Sequence, residues 1–299
     1  MDNKIITILT LLQLKKIGRK TAFSIINKNY SLLNQNDSPT NIAKELLLSN
    51  NYFDYSIIDI SNAYDTALEK IEKTKAYERI KVITYWDTDY PNRLKQIDDP
   101  PLLLNYIGDI SQLNQTKSVA LIGTRNINSH INKIATNLGK LLAENFIITG
   151  GLAKGCDTAG HKGCLQSGGI TVAVCGKPLD VIYPKENRKL AEEIIAKKGV
   201  LISEYFVGEK SYLQPFIERN RIQAGLSEAI IVVASGVNGG TMRTVKFGKK
   251  HKRLICCYKP DVKHRNDENF QGNIKLIRDG AIPITNNQSI VALTKQITQ

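Results

Sequence analysis

Apolar and polar residues follow two different rhythms along this chain, and the change between them divides the sequence. Within residues 1–75 the apolar positions recur at helical spacing: Ile5, Ile8, Leu9 and Leu12, then Phe23 and Ile26, then a run over 42–48. Tyr64, Leu68 and Ile71 fall on one face of a further segment, 59–75. A stripe repeating every three to four residues predicts helices that bury one face. From residue 119 the pattern changes to short, continuous apolar runs at 119–122, 146–149, 170–175, 200–204, 229–234, 253–258 and 281–284. Strands inside a parallel sheet read this way because helices cover both faces. The stretches between them predict helices over 129–144, 156–167, 187–197, 215–225, 241–250 and 271–278. The alternation predicts an α/β fold, an open and mostly parallel sheet with right-handed crossovers, behind a small all-helical domain. The boundary falls between 1–75 and 76–299. After it, 80–85 reads as a strand, and Pro100-Pro101 breaks regular structure before an extended segment that bridges into the main domain.

Charge narrows the partners. The chain has 299 residues, a formal net charge of +13 and 42% hydrophobic residues. That composition suits a globular protein, and the excess of cations favours a polyanion or a basic surface tuned for solubility. No signal-peptide pattern opens the sequence and no apolar run is long enough to span a membrane, so a cytoplasmic protein without membrane contact is expected. Cys156, Cys164, Cys175, Cys256 and Cys257 form no CxxC pair, so neither zinc nor a redox couple is supported, and no metal site is expected.

Ligands of open parallel sheets bind beyond the carboxyl ends of the strands. Three glycine-bearing turns belong there. Gly123-Thr124-Arg125 follows the first main strand and offers a glycine, a hydroxyl and a guanidinium, a set that suits phosphate. Arg125 would equally suit a surface carboxylate. Gly150-Gly151, with Lys154 and Gly155 close behind, follows the second, and missing side chains let a ligand approach the backbone. Gly239-Gly240-Thr241, with Arg243, follows the fifth, where a helix start with open N–H groups suits an anion. Cations continue beyond it at Lys246, Lys249, Lys250, Lys252 and Arg253, as a phosphate-tracking strip or a solvated face. Arg219-Asn220-Arg221 puts two arginines two positions apart on a helix, so they cannot both point the same way. One is expected at the ligand and the other on a neighbouring acid. His161 reads as a hydrogen-bonded packing residue, and Leu14 to Ala22, interrupted by Gly18, resembles a helix-hairpin-helix or a plain helical hairpin. Neither the dinucleotide fingerprint G-x-G-x-x-G nor a P-loop is present.

These motifs, in this order, resemble the bacterial DNA-processing protein A family. The likeness runs through Tyr90-Pro91, Pro100-Pro101, Gly123-Thr124-Arg125, Gly151-Leu152-Ala153 with Asp157, Tyr183-Pro184, Ser203-Glu204, Arg219-Asn220-Arg221 and Gly280-Ala281. The resemblance implies an extended Rossmann-like domain that binds single-stranded DNA in a basic pocket, with no cofactor and no catalytic turnover. It implies a homodimer that protects incoming strands in natural transformation and loads the recombinase RecA. The pocket would draw on Gly123, Thr124, Arg125, Gly150, Gly151, Lys154, Arg219, Asn220, Arg221, Gly240, Thr241 and Arg243. Residues 1–75 would supply a sterile-alpha-motif-like or helix-hairpin-helix region. The sequence stops at Gln299 soon after the last expected strand, so the winged helix of some relatives is not expected. Two departures stand out: after the fifth strand Val233-Ala234-Ser235 and Gly239-Gly240-Thr241 replace a usual Val-Glu-Ala and Ser-Gly-Ser, and after the sixth Cys257-Tyr258-Lys259-Pro260-Asp261 stands where a Pro-Gly usually follows. A nucleotide-binding sensor, or a nucleotide-processing enzyme of a related fold, is the competing reading of the same glycine turns.

Overall fold

Four helices begin the chain in the computed structural model, which describes residues 3–209 and 214–298: α1 (Asn3–Gln13), α2 (Arg19–Lys28), α3 (Pro39–Leu48) and α4 (Ile57–Lys75). Their starts follow local chemistry. The Ser38 hydroxyl accepts from the Asn41 amide, with Pro39 at the first helical position. Ser56 and Asp59 form a reciprocal capping box at the start of α4. The apolar stripes of these helices meet in one cluster that also takes in Leu102, Leu103 and Phe206, so the helical region is packed onto the sheet.

The segment expected as a bridge is part of that sheet. It folds as β1 (Lys81–Thr84), α5 (Asn92–Lys95), β2 (Leu103–Ile107) and α6 (Gln112–Gln115). The alternating region follows as β3 (Ser118–Ile122), α7 (Ser129–Leu142), β4 (Ile147–Gly150), α8 (Cys156–Gln166), β5 (Thr171–Cys175), α9 (Arg188–Ala196) and β6 (Val200–Ser203). It continues with α10 (Gln214–Leu226), β7 (Ala229–Val232), α11 (Gly240–Lys250), β8 (Leu254–Tyr258), α12 (Gln271–Arg278), β9 (Ile282–Ile284) and α13 (Asn287–Thr298). The strands lie in the order β1-β2-β6-β5-β4-β3-β7-β8-β9. β2 runs antiparallel to both neighbours, and every other pairing beyond it is parallel.

Alternate residues of each strand serve opposite layers. Val119, Leu121 and Ile231 pack under α7, α8 and α13, while Ala120, Ile122, Ile230 and Val232 pack under α10, α11 and α12. The chain steps from β3 through β4 and β5 to β6, then returns to place β7 on the other flank of β3. The loops leaving β3 and β7 therefore diverge, which opens a crevice at the carboxyl ends of these two strands. No described helix is long and apolar enough to cross a membrane. All five cysteines are buried and free, and burial pushes their thiols up to about 12, so they pack as small apolar groups.

Candidate nucleic-acid interface

The loop after β3 is clamped from both sides. The Thr124 amide donates to the Ala234 carbonyl at 2.8 Å, and the Cys156 amide donates to the Thr124 carbonyl at 3.1 Å. Gly123 is required by that clamp, since a Cβ there would meet the Cys156 Sγ at 2.5 Å. Gly155 takes φ +79°, and a Cβ on it would meet the Thr124 carbonyl oxygen at 2.4 Å. The backbone of Arg125 is thus fixed while its side chain stays exposed, forming no hydrogen bond or ion pair with a described residue.

A cleft of about 550 Å³ opens between this loop, α10 and the start of α11. Gly123, Thr124, Arg125, Arg219, Asn220, Gly240, Thr241 and Arg243 line it. At the start of α11, Gly239 takes φ +129°, and a Cβ on Gly239 or Gly240 would meet nothing within 4 Å. The first amides of an α-helix have no acceptor within the helix, so these point into open space with the dipole behind them.

Arg219 forms the floor. It is only 5% exposed, its Nη1 donates to the Val174 carbonyl at 3.0 Å, and its Nε has no partner among the described residues. Burial pulls its guanidinium down, and the charge of Asp157 opposes that pull without an ion pair between them. Asp157 is buried too. It accepts from the Gly151 amide at 2.9 Å and the Ala153 amide at 3.4 Å, so it holds the loop after β4. Burial pushes its carboxyl up, against the pull of Arg219, these amides and Arg125. Three arginines, at 125, 219 and 243, thus share the cleft with one buried carboxylate.

Four of the expected residues lie outside the cleft lining. Gly150 and Gly151 make room for protein: a Cβ would meet the His161 ring at 2.5 Å from Gly150, and the Arg219 guanidinium at 1.4 Å from Gly151. Lys154 is exposed and paired with Glu186. Arg221 turns the other way from Arg219, as their spacing requires, and bonds Glu204 at 2.7 Å and the Asp99 carbonyl at 3.0 Å. Arg253 leaves the expected basic strip, because it is buried and its Nη2 donates to the Gly225 carbonyl at 2.9 Å. Arg19, beside the glycine of the N-terminal hairpin, is engaged by Asp99, Glu204 and Glu218.

Two participants were not legible as site residues. Phe216 lines the cleft and packs with its ring tilted against the exposed Tyr183, centroids 5.3 Å apart, yet an aromatic inside a helix reads as core. Asn273, fully buried on α12, accepts from the Ser235 amide at 2.9 Å and donates to the Val233 and Tyr258 carbonyls. It fixes the exit of β7 from a position 38 residues downstream. Among the described residues, no cluster of His, Cys, Asp and Glu is arranged to hold a metal ion.

Known proteins share this arrangement. The profile described as DNA recombination-mediator protein A matches residues 81–295. Protein Smf of Synechocystis is 36% identical over 214 residues, which span 69% of this chain and 52% of that protein. The chain therefore spans about half the length of that relative. DNA processing protein DprA of Streptococcus pneumoniae is 32% identical over 272 residues, covering 88% of this chain and 93% of its own length. The crystal structure of the pneumococcal protein superposes with a TM-score of 0.79 at 26% identity, covering 98% of each chain. A structure of DNA processing protein A from Helicobacter pylori, concerned with its single-stranded DNA binding mode, has a TM-score of 0.64 at 25% identity. It covers 73% of this chain and 96% of its own.

Proposed function

The chain belongs to the DNA recombination-mediator protein A family, and we propose that it binds single-stranded DNA in the cleft between β3, β7 and α10. The observation that carries this reading is Arg219, a buried guanidinium without an ion pair, recessed beneath the exposed Arg125 and Arg243. A buried cation is costly unless something pairs with it, and a phosphate entering the cleft would do so. A flexible strand can bend a phosphate into a recess that a rigid duplex cannot enter. The single-strand binding mode described for the Helicobacter protein supports this polymer over a free nucleotide. In this reading the protein protects incoming strands in natural transformation and passes them to RecA. It works in the cytoplasm as a C2 homodimer, and binding rather than turnover is its task.

The test is Arg125→Ala. Losing a charge-assisted phosphate contact costs about 1.5–3 kcal/mol, so affinity for oligothymidylate falls by roughly tenfold or more. The slope of log affinity against log salt falls by about 0.7. Arg125→Lys recovers part of the affinity, because a point charge replaces a planar fork. The melting temperature stays put, since Arg125 holds nothing in the fold. A folded Arg125→Ala protein that binds normally would remove the cleft from consideration. Mononucleotides that displace the strand as well as an oligonucleotide does would favour a nucleotide sensor.

A further inference from the structure

We propose that the bound strand leaves the cleft along the exposed cationic face of α11, making a second stretch of phosphate contacts. The proposal rests on the cleft reading and extends it to the length of strand the protein holds. Helix α11, GTMRTVKFGKK, carries four cations and no acid. At 3.6 residues per turn, Arg243, Lys246 and Lys250 fall on one face, with Lys249 at its edge, and the face rises by roughly 10 Å. The opposite face is locked to the sheet: Thr244, Val245 and Gly248 are buried, and a Cβ on Gly248 would meet the Ile230 Cγ1 at 2.7 Å. The cationic face therefore cannot turn away from solvent.

Arg243 lines the cleft itself, so the row begins where the proposed site ends. Arg243, Lys246 and Lys249 form no ion pair with a described residue, whereas Lys250 pairs with Asp98 at 3.0 Å. The hydrogen bond and charge of Lys250 hold the Asp98 carboxyl below its usual range. The row thus runs from the cleft to the loop that carries Asp98. Helix stability accounts for only part of it. Lys249 and Lys250 complement the negative end of the dipole, but Arg243 sits near the positive end, where a cation is unfavourable. Lys246, in the middle, is left without a local role. A line of unpaired cations continuous with a phosphate-sized cleft matches the charge of a single strand's backbone.

The experiment uses the full chain with oligothymidylates of about six and about twenty nucleotides, lengths chosen to fill the cleft alone or to overrun it. Lys246→Gln/Lys249→Gln should bind the long strand about tenfold more weakly at low salt. Its salt slope for that strand should fall by about 1.4, two contacts at about 0.7 each. Binding of the short strand should stay within about twofold. Lys140→Gln/Lys162→Gln, which removes the same charge from helices on the other sheet face, should change neither. Unchanged binding of the long strand, equal losses at both lengths, or an equal loss in the control pair would each overturn the proposal. Arg125→Ala, measured alongside, should weaken both lengths. If it weakens neither, the cleft reading fails, and the long-strand slope of the lysine variant still decides whether α11 carries DNA.

Discussion

His161 is made inert by what surrounds it. It is 1% exposed, and its Nδ1 lies 2.6 Å from the Thr171 hydroxyl, which itself donates to the Ile148 carbonyl. The hydroxyl proton is already committed, so Nδ1 carries the ring proton and donates, leaving Nε2 as a bare acceptor against Gly150. Burial, with the charge of Arg219, pulls the imidazole from its ordinary value down to about 4. The unfolded chain takes up a proton near pH 6.5 and the native state does not, so stability falls as pH drops from about 6.5 toward 4. The full extent is on the order of 3 kcal/mol. His130 and His251 are also lowered by burial and act in the same direction. His161→Gln, which cannot take up that proton, should be less stable than the parent at pH 7, and the gap should narrow by pH 4.5. Melting curves at both pH values check this. A gap that stays constant would mean that His161 contributes packing alone.

Helix α10 divides two tasks between adjacent faces, and that division can be separated by mutation. Arg219, Asn220 and Gln223 face the cleft, while Arg221 sits 4% exposed between Asp99 and Glu204. Removing one member of a buried ion pair costs about 3 kcal/mol, because its partners are left behind. Arg221→Ala should therefore lower the melting temperature by several degrees while the folded protein binds DNA normally. Arg219→Ala should do the reverse, since it removes a buried cation that no carboxylate pairs. If Arg221→Ala loses affinity and stability in proportion, α10 acts as one unit. The spacing of the two arginines already required opposite directions, and the sequence held no sign of which was which. That choice depends on Asp99 and Glu204, which reach α10 only through the fold. Continuous apolar runs marked the parallel strands because burial on both faces demands them. β2 was read as a bridge because the prolines before it masked its pairing with β6. Helix α13 went unread, although Ile290, Leu293 and Ile297 recur at helical spacing and Asn286 and Ser289 cap its start. Gly150 and Gly151 were read as room for a ligand, when the room is taken by His161 and Arg219.

Across the whole molecule, the helical region is fastened to the sheet by an apolar seam, by the pairs Lys4–Asp87 and Lys70–Glu209, and by a charged latch that reaches the cleft helix. The seam joins α1 to α4 with Leu102, Leu103 and Phe206. The latch is Arg19 at the start of α2, which meets Asp99 at 2.9 Å, Glu218 at 3.0 Å and Glu204 at 3.7 Å. Glu218 belongs to α10, so a residue of the N-terminal helices holds the helix that floors the cleft. Although burial opposes it, the three carboxylates keep the Arg19 guanidinium firmly charged, and Arg19 with Arg221 holds the Asp99 carboxyl below its usual range. Arg19→Ala would leave Asp99 and Glu204 to Arg221 and would take from Glu218 its only ion pair among the described residues. With Arg19 about 30% exposed, the loss falls between that of a surface pair and a buried one, about 1–3 kcal/mol. The sign with pH follows. In the parent, a lowered carboxylate contributes stability above its unfolded pKa, and that contribution fades as pH falls through the folded value. In the variant, the crowded carboxylates repel one another and gain from protonation. The two proteins should therefore differ most near pH 7, draw closer toward about pH 4 and converge only below it, which melting curves carried well into acid would show. A difference that persists undiminished well below pH 4 would assign the loss to the packing of the Arg19 stem, and would leave the seam, with the Lys4–Asp87 and Lys70–Glu209 pairs, as the attachment between the helices and the sheet.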